Sequence, residues 1–223
     1  MNTVSAEQEV AGLLARAKRD KEEAKDHRDN GDITAAVTVL EETVKALDAS
    51  PLAAELETAT APSKPMRDLA AQLADCLGML GGNYRRLGRL KEAQTAFERG
   101  RVYEESPSLE VMSSYNLVNA ITLPIESDAE AWEAQRPFIE KAVVALSRQV
   151  RGERRSDPWA WADLAQCQLL LGDEAGALQS YDRVRDLGDD DTLASATAVL
   201  ERLGNAVPAL KSRITAVITY LKA

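Results

Sequence analysis

The sequence predicts an all-α fold built from antiparallel helix–turn–helix hairpins. Three observations predict it. Between Leu77 and Gly100, apolar residues recur at Leu77, Leu80, Gly81 and Tyr84, stop at Gly88, and resume at Ala93, Phe97 and Gly100. Both halves keep a helical period, and a glycine between them can adopt the left-handed conformation that closes a helix. Second, the step from a glycine to an alanine five residues on recurs at Gly31/Ala36, Gly88/Ala93, Gly172/Ala177 and Gly204/Ala209. Third, aromatic residues are only 4% of a chain that is 45% hydrophobic, so alanine and leucine must supply helix-to-helix packing.

Taken in order, residues 1–9 are polar and are expected to fray. A helix follows from Val10 to Asn30, and Gly31-Asp32 closes it and caps the next, Ile33 to Leu47. Asp20 and Glu23 stand at apolar positions of the pattern, which predicts a partly exposed first helix. Residues 48–65 hold three prolines. They predict a short helical piece at Leu52 to Leu56 and an exposed loop over 57–65. A long helix is expected from Met66 to Leu87, and its partner ends near Glu105. The third unit opens at Tyr115-Asn116-Leu117-Val118-Asn119-Ala120, with Leu123–Asp128 in place of a glycine turn and a kink or start at Pro137. The fourth carries Trp161, Leu164, Ala165, Gly172, Ala177 and Tyr181. A final weaker copy, with Gly204 as its turn and a last helix from Ala206 to Leu221, closes the array.

These residues resemble the tetratricopeptide repeat, a helical hairpin with a period of about 34 residues. The match is closest in 77–100, with Leu77 where tryptophan is usual, and in 161–184, with Trp161 in that place. The resemblance implies a right-handed superhelical solenoid of about four to five hairpins. It also implies one domain over 10–223 that acts as a non-enzymatic protein-interaction scaffold, or as a regulator of a signalling effector. The first helix of each hairpin then lines a concave groove. Asp75, Gly78, Gly82 and Arg85 would face it from the central repeat, with Arg86 beside them. Tyr115, Asn116, Asn119 and Thr122 would face it from the third, and Trp159, Ala162, Asp163 and Gln166 from the fourth. Arg85, Tyr115, Asn116, Asn119 and Gln166 are the expected peptide-binding residues. Lys18, Lys21, Lys25 and Arg28 extend that face with a cationic row, which predicts an acidic peptide or protein partner.

Composition narrows the alternatives. A formal net charge of −9 opposes nucleic acid and acidic membranes as partners. MNTVSAEQEV has no basic start followed by an apolar run, and no stretch is long and apolar enough to span a bilayer, so a cytoplasmic protein is expected. His27 is the single histidine, and Cys76 and Cys167 are far apart. No metal ligand set, phosphate loop or nucleophile elbow is visible, so no cofactor, metal or catalytic residue is expected. The rival readings are a self-associating structural repeat, which needs an exposed apolar face, and a nucleic-acid-binding repeat, which needs a basic groove.

Overall fold

Three glycine turns set the architecture. In the computed structural model, which describes residues 3–128 and 130–222, Gly31, Gly88 and Gly172 have φ of 84°, 73° and 85°. Each turn closes the same way. The glycine N–H donates to the carbonyl three residues back: Arg28, Arg85 and Leu169, each at 3.0 Å. The next N–H reaches the carbonyl five residues back: His27 at 2.8 Å, Tyr84 at 2.9 Å and Gln168 at 2.9 Å. These are Schellman closures, and they satisfy carbonyls that a helix end would otherwise leave bare. After two of the turns an aspartate starts the next helix. Asp32 accepts from Ala35 N and Asp173 from Gly176 N, both at 3.0 Å.

The turns join α1 (Thr3–Asp29) to α2 (Ile33–Asp48), α3 (Lys64–Arg86) to α4 (Leu90–Glu105), and α7 (Pro158–Leu171) to α8 (Glu174–Leu187). Each pair packs together. Ala36, Ala93 and Ala177, the small residues five past each turn, are all 0% exposed. The glycine-to-alanine step is therefore a close helix–helix contact in three of its four copies. Residues 1–9, expected to fray, contribute to α1 from Thr3 onward.

The fourth copy is different. Gly204 lies inside α9 (Asp190–Ala206) and is not among the glycines at positive φ. Its missing side chain serves packing, because a Cβ there would stand 3.1 Å from Ile214 Cγ2. The chain turns instead through Val207 and a 3₁₀ turn at Pro208–Leu210 into α10 (Lys211–Leu221). The expected break at 123–128 is also displaced. Helix α5 (Tyr115–Ser127) continues through Pro124, and α6 (Ala131–Arg151) contains Pro137.

The segment between α2 and α3 is tied down more than a loop of its composition suggests. A 3₁₀ turn at Ala53–Glu55 puts Leu56 in the core at 1% exposure. Ser108 Oγ donates to Ala59 O at 3.2 Å, and Arg67 Nη1 to Pro62 O at 2.8 Å.

The chain divides into two compact units, Met1–Leu117 and Val118–Ala223. In the first, α1 packs on α2 and α3, and α3 on α2 and α4. Helix α1 buries a narrow stripe, Val10, Ala17 and Ala24. Asp20, anomalous in the apolar pattern, accepts from Thr43 Oγ1 of α2 at 2.8 Å and from Arg16 Nε at 3.1 Å. In the second unit α7 is the central helix, packed against α6, α8 and α9. The basic stretch at 151–155 is a clasp at the start of α7. Buried Arg154 donates to Gln149 Oε1 at 2.8 Å and Asp157 Oδ2 at 2.9 Å, and Asp157 caps α7 through Trp159 N.

Candidate functional site

One face of α3 carries Asp75, Gly78 and Gly82, at spacings that align them along the helix. The α1 side of this face is marked by an ion pair between Lys21 and Asp75. On the other side stands Tyr115, at the start of α5. A Cβ on Gly78 would lie 2.9 Å from Tyr115 Cδ1, and one on Gly82 3.2 Å from the Tyr115 hydroxyl. The two glycines thus form a bare strip on which the ring rests. Its edge meets Phe97, with ring centroids 6.0 Å apart at 67°. Tyr115 keeps 45% of its surface exposed. Lys21, through Asp75, and Tyr115, through Gly78 and Gly82, thus both meet this face of α3 within the first unit.

Arg86 extends this face. Its Nη1 lies 3.6 Å from a Cβ built on Gly82 and 3.4 Å from Asn83 Oδ1. Arg28, in the last turn of α1, donates to its neighbour Asp29 at 2.9 Å. The Arg86 guanidinium is held below its ordinary pKa, first by partial burial and then by the charges of Arg28 and Arg85, with Tyr115 and Asp29 opposing. Of the cationic row, Lys18 and Lys25 are exposed, and Lys21 and Arg28 half-buried.

Other expected site residues are placed differently. Asn116 is 1% exposed. Its side-chain nitrogen donates to Ala74 O and Glu104 Oε1, each at 2.9 Å, so its amide is committed inside the protein. Gln166 is 6% exposed within α7, and Thr122 and Ala162 are buried as well. These three lie in the second unit, where the first helix of the hairpin is enclosed on most sides. Asn119 and Arg85 are half-buried. Trp159 is 47% exposed, while Trp161 donates from Nε1 to Arg155 O at 2.9 Å.

Sequence reasoning missed Glu104. It is 8% exposed at the end of α4 and caps the start of α5 from outside that helix. Its Oε1 accepts from Asn116 N at 3.1 Å, and its Oε2 from Leu117 N at 2.8 Å. The signal available was Glu104 standing at an apolar period position, two before the Ser106-Pro107 break. Burial raises its pKa, while the amides of Leu117 and Asn116 and the Ser113 hydroxyl pull the other way.

The folded chain therefore binds the Glu104 proton more tightly than the unfolded chain does. The part of its contribution to stability that comes from proton uptake is present at low pH and is lost as pH rises through the raised value, while the bonds its carboxylate accepts persist. Wild type should gain stability relative to Glu104→Gln as pH is lowered from 7 toward 5. Urea unfolding of both proteins at each pH checks this, and parallel profiles would refute it.

Elsewhere the chemistry is quiet. Burial pushes the Cys76 thiol up to about 12 and raises Cys167 further, so neither offers thiolate to solvent. Among the described residues no three His, Cys, Asp or Glu side chains gather as a metal-binding group. No described helix is long and apolar enough to cross a membrane.

The hairpins, their Schellman turns and the small residues packed behind them define an all-α helical-repeat fold. No protein-family model matches the chain, and no curated protein matches it in sequence. Among solved structures, a tetratricopeptide repeat protein from Parabacteroides merdae aligns over 90% of this chain and 68% of its own, at 15% identity and a TM-score of 0.43. Nearly identical TPR-like repeats of a kinesin light chain from Podosopora anserina align over 92% of this chain and 95% of theirs, at 16% identity and a TM-score of 0.45. A substituted form of those repeats gives 94%, 96%, 16% and 0.47.

Proposed function

We propose that this chain is a non-enzymatic, cytoplasmic scaffold that holds an acidic peptide segment of a partner protein along the α1–α3 face of its first unit. One observation carries the reading. In a chain of net charge −9, Lys18, Lys21, Lys25 and Arg28 recur along α1, Arg28 acts electrostatically on Arg86 of α3, next to Arg85, and the exposed Tyr115 ring lies on the same face of α3. A positive surface draws acidic segments toward it. Arginine adds paired donors for carboxylates, and the ring adds apolar area. Asn116 has no part in this contact, since its amide is bonded internally.

The test is a fluorescence titration with a glutamate-rich dodecapeptide and a lysine-rich one of equal length. The acidic peptide should bind, and more weakly as salt rises. Arg85→Glu should lower its affinity by about tenfold, a loss of roughly 1.4 kcal/mol. Equal binding of the two peptides, or no effect of Arg85→Glu in a protein still folded by circular dichroism, would place the partner surface elsewhere.

A further inference from the structure

We infer that the outward face of α6 is a docking surface for a second copy of this chain, which lies antiparallel on it about a two-fold axis. This face belongs to the second unit, so the inference stands apart from the peptide reading. Its starting point is a helix that is apolar on two sides. Ile139, Ala142, Leu146 and Val150 are buried on one side of α6. On the other, Val144 keeps 73% of its surface exposed, and Pro137, two turns earlier, is exposed as well. Phe138, 46% exposed, widens the apolar surface on its flank. A helix apolar on both sides is ordinarily covered on both, and an uncovered apolar face is what self-association requires.

Charge names the occupant. Glu130 and Glu133 stand at the start of α6, Arg148 and Arg151 in its last turn, and all four are exposed. At about 100° per residue, these four, Pro137 and Val144 fall within about 60° of one another around the helix. An antiparallel copy centred between Glu140 and Lys141 sets Val144 opposite the second copy's Pro137, Glu133 opposite its Arg148, and Glu130 opposite its Arg151. The two-fold axis makes each of these pairs twice. A parallel copy in register would set like charge against like. At the margin, Arg136 and Glu140 are already paired with each other at 3.3 Å. The helix dipole favours the same order of charges, but it gives no reason for a valine and a proline to stand in water between them. With 21 residues, α6 is about 31 Å long. A contact strip about 10 Å wide along it falls short of the roughly 800 Å² per partner of a standard stable interface, so the dimer forms reversibly as concentration rises. An isologous contact closes at two copies, and growth stops there.

Sedimentation equilibrium of the full chain from about 1 µM to about 1 mM should show monomer passing to dimer and no further. Val144→Glu should weaken the dimer by at least about tenfold. Glu133→Arg and Arg148→Glu should each weaken it too, since either one sets like charges opposite one another twice. An equimolar mixture of those two variants should associate again, because the exchanged charges then attract in both pairs. Circular dichroism checks that each variant is folded. A chain that stays monomeric throughout, or grows past two copies, overturns the inference. So does a dimer that Val144→Glu leaves intact, and so does a mixture that associates no better than its two components alone.

Discussion

Glu104→Ala is expected to cost on the order of 2–4 kcal/mol, measured by urea unfolding at neutral pH. The carboxylate accepts from two main-chain amides, Asn116 N and Leu117 N, and from the Asn116 side chain. All three donors lie where water has little access, since Asn116 is 1% exposed and Leu117 6%. Removing the acceptor leaves them unpaired, and a buried donor without a partner costs about 1–3 kcal/mol. Part of the loss is offset, because the variant no longer holds a carboxylate out of water. Glu104→Gln keeps one acceptor oxygen and should lose less. An Ala variant as stable as wild type would mean that the start of α5 is held by something else.

The second large effect is expected at Gly100. A Cβ there would stand 2.3 Å from Asn116 Cγ and 2.6 Å from its Nδ2. Asn116 is held by Ala74 O and Glu104, so its amide has no free direction in which to retreat. Gly100→Ala should therefore destabilise by about 1–3 kcal/mol through overpacking, even though alanine favours a helix over glycine by about 1 kcal/mol. Pairing it with Asn116→Ala should recover part of the loss, since the clash goes with the amide. Thermal unfolding of the two single variants and the double variant measures this. A strictly additive result would show that the two residues do not meet.

These two residues also show what could be read from the sequence. Gly100 was legible as a small residue at a close approach, because it keeps the helical period of Ala93 and Phe97. What approaches it was not legible. Asn116 fits the register of a groove position, and register says which side of a helix a residue occupies. It does not say whether a neighbouring carboxylate has folded over that side. The prediction succeeded where one residue type has one physical use, as for glycine at positive φ in Gly31, Gly88 and Gly172. It failed at Gly204, where the same letter at the same spacing serves packing against Ile214 instead. Pro124 and Pro137 misled for a related reason, because tertiary context held both inside helices that local rules would have ended. Within the site, the repeat resemblance assigns Asp75 and Tyr115 to one groove, and Lys21 and Tyr115 both contact the same face of α3. The convergence of Tyr115 and Arg86 at Gly82 needs Tyr115 to rest on α3, which no pattern along one helix encodes.

The extra chain between α2 and α3 has a consequence for how this protein can be rebuilt. In a strictly periodic array, one hairpin can be exchanged for another as a cassette, since every joint is alike. Here the joint after the first hairpin is unique: it sends Leu56 into the interior and receives a bond from Ser108, which lies beyond the second hairpin. The first two hairpins and their connector are thus one indivisible part. Consensus redesign, hairpin duplication or transplantation would have to cut after Ser108, and any cut between Asp48 and Lys64 would divide a structure that works only whole.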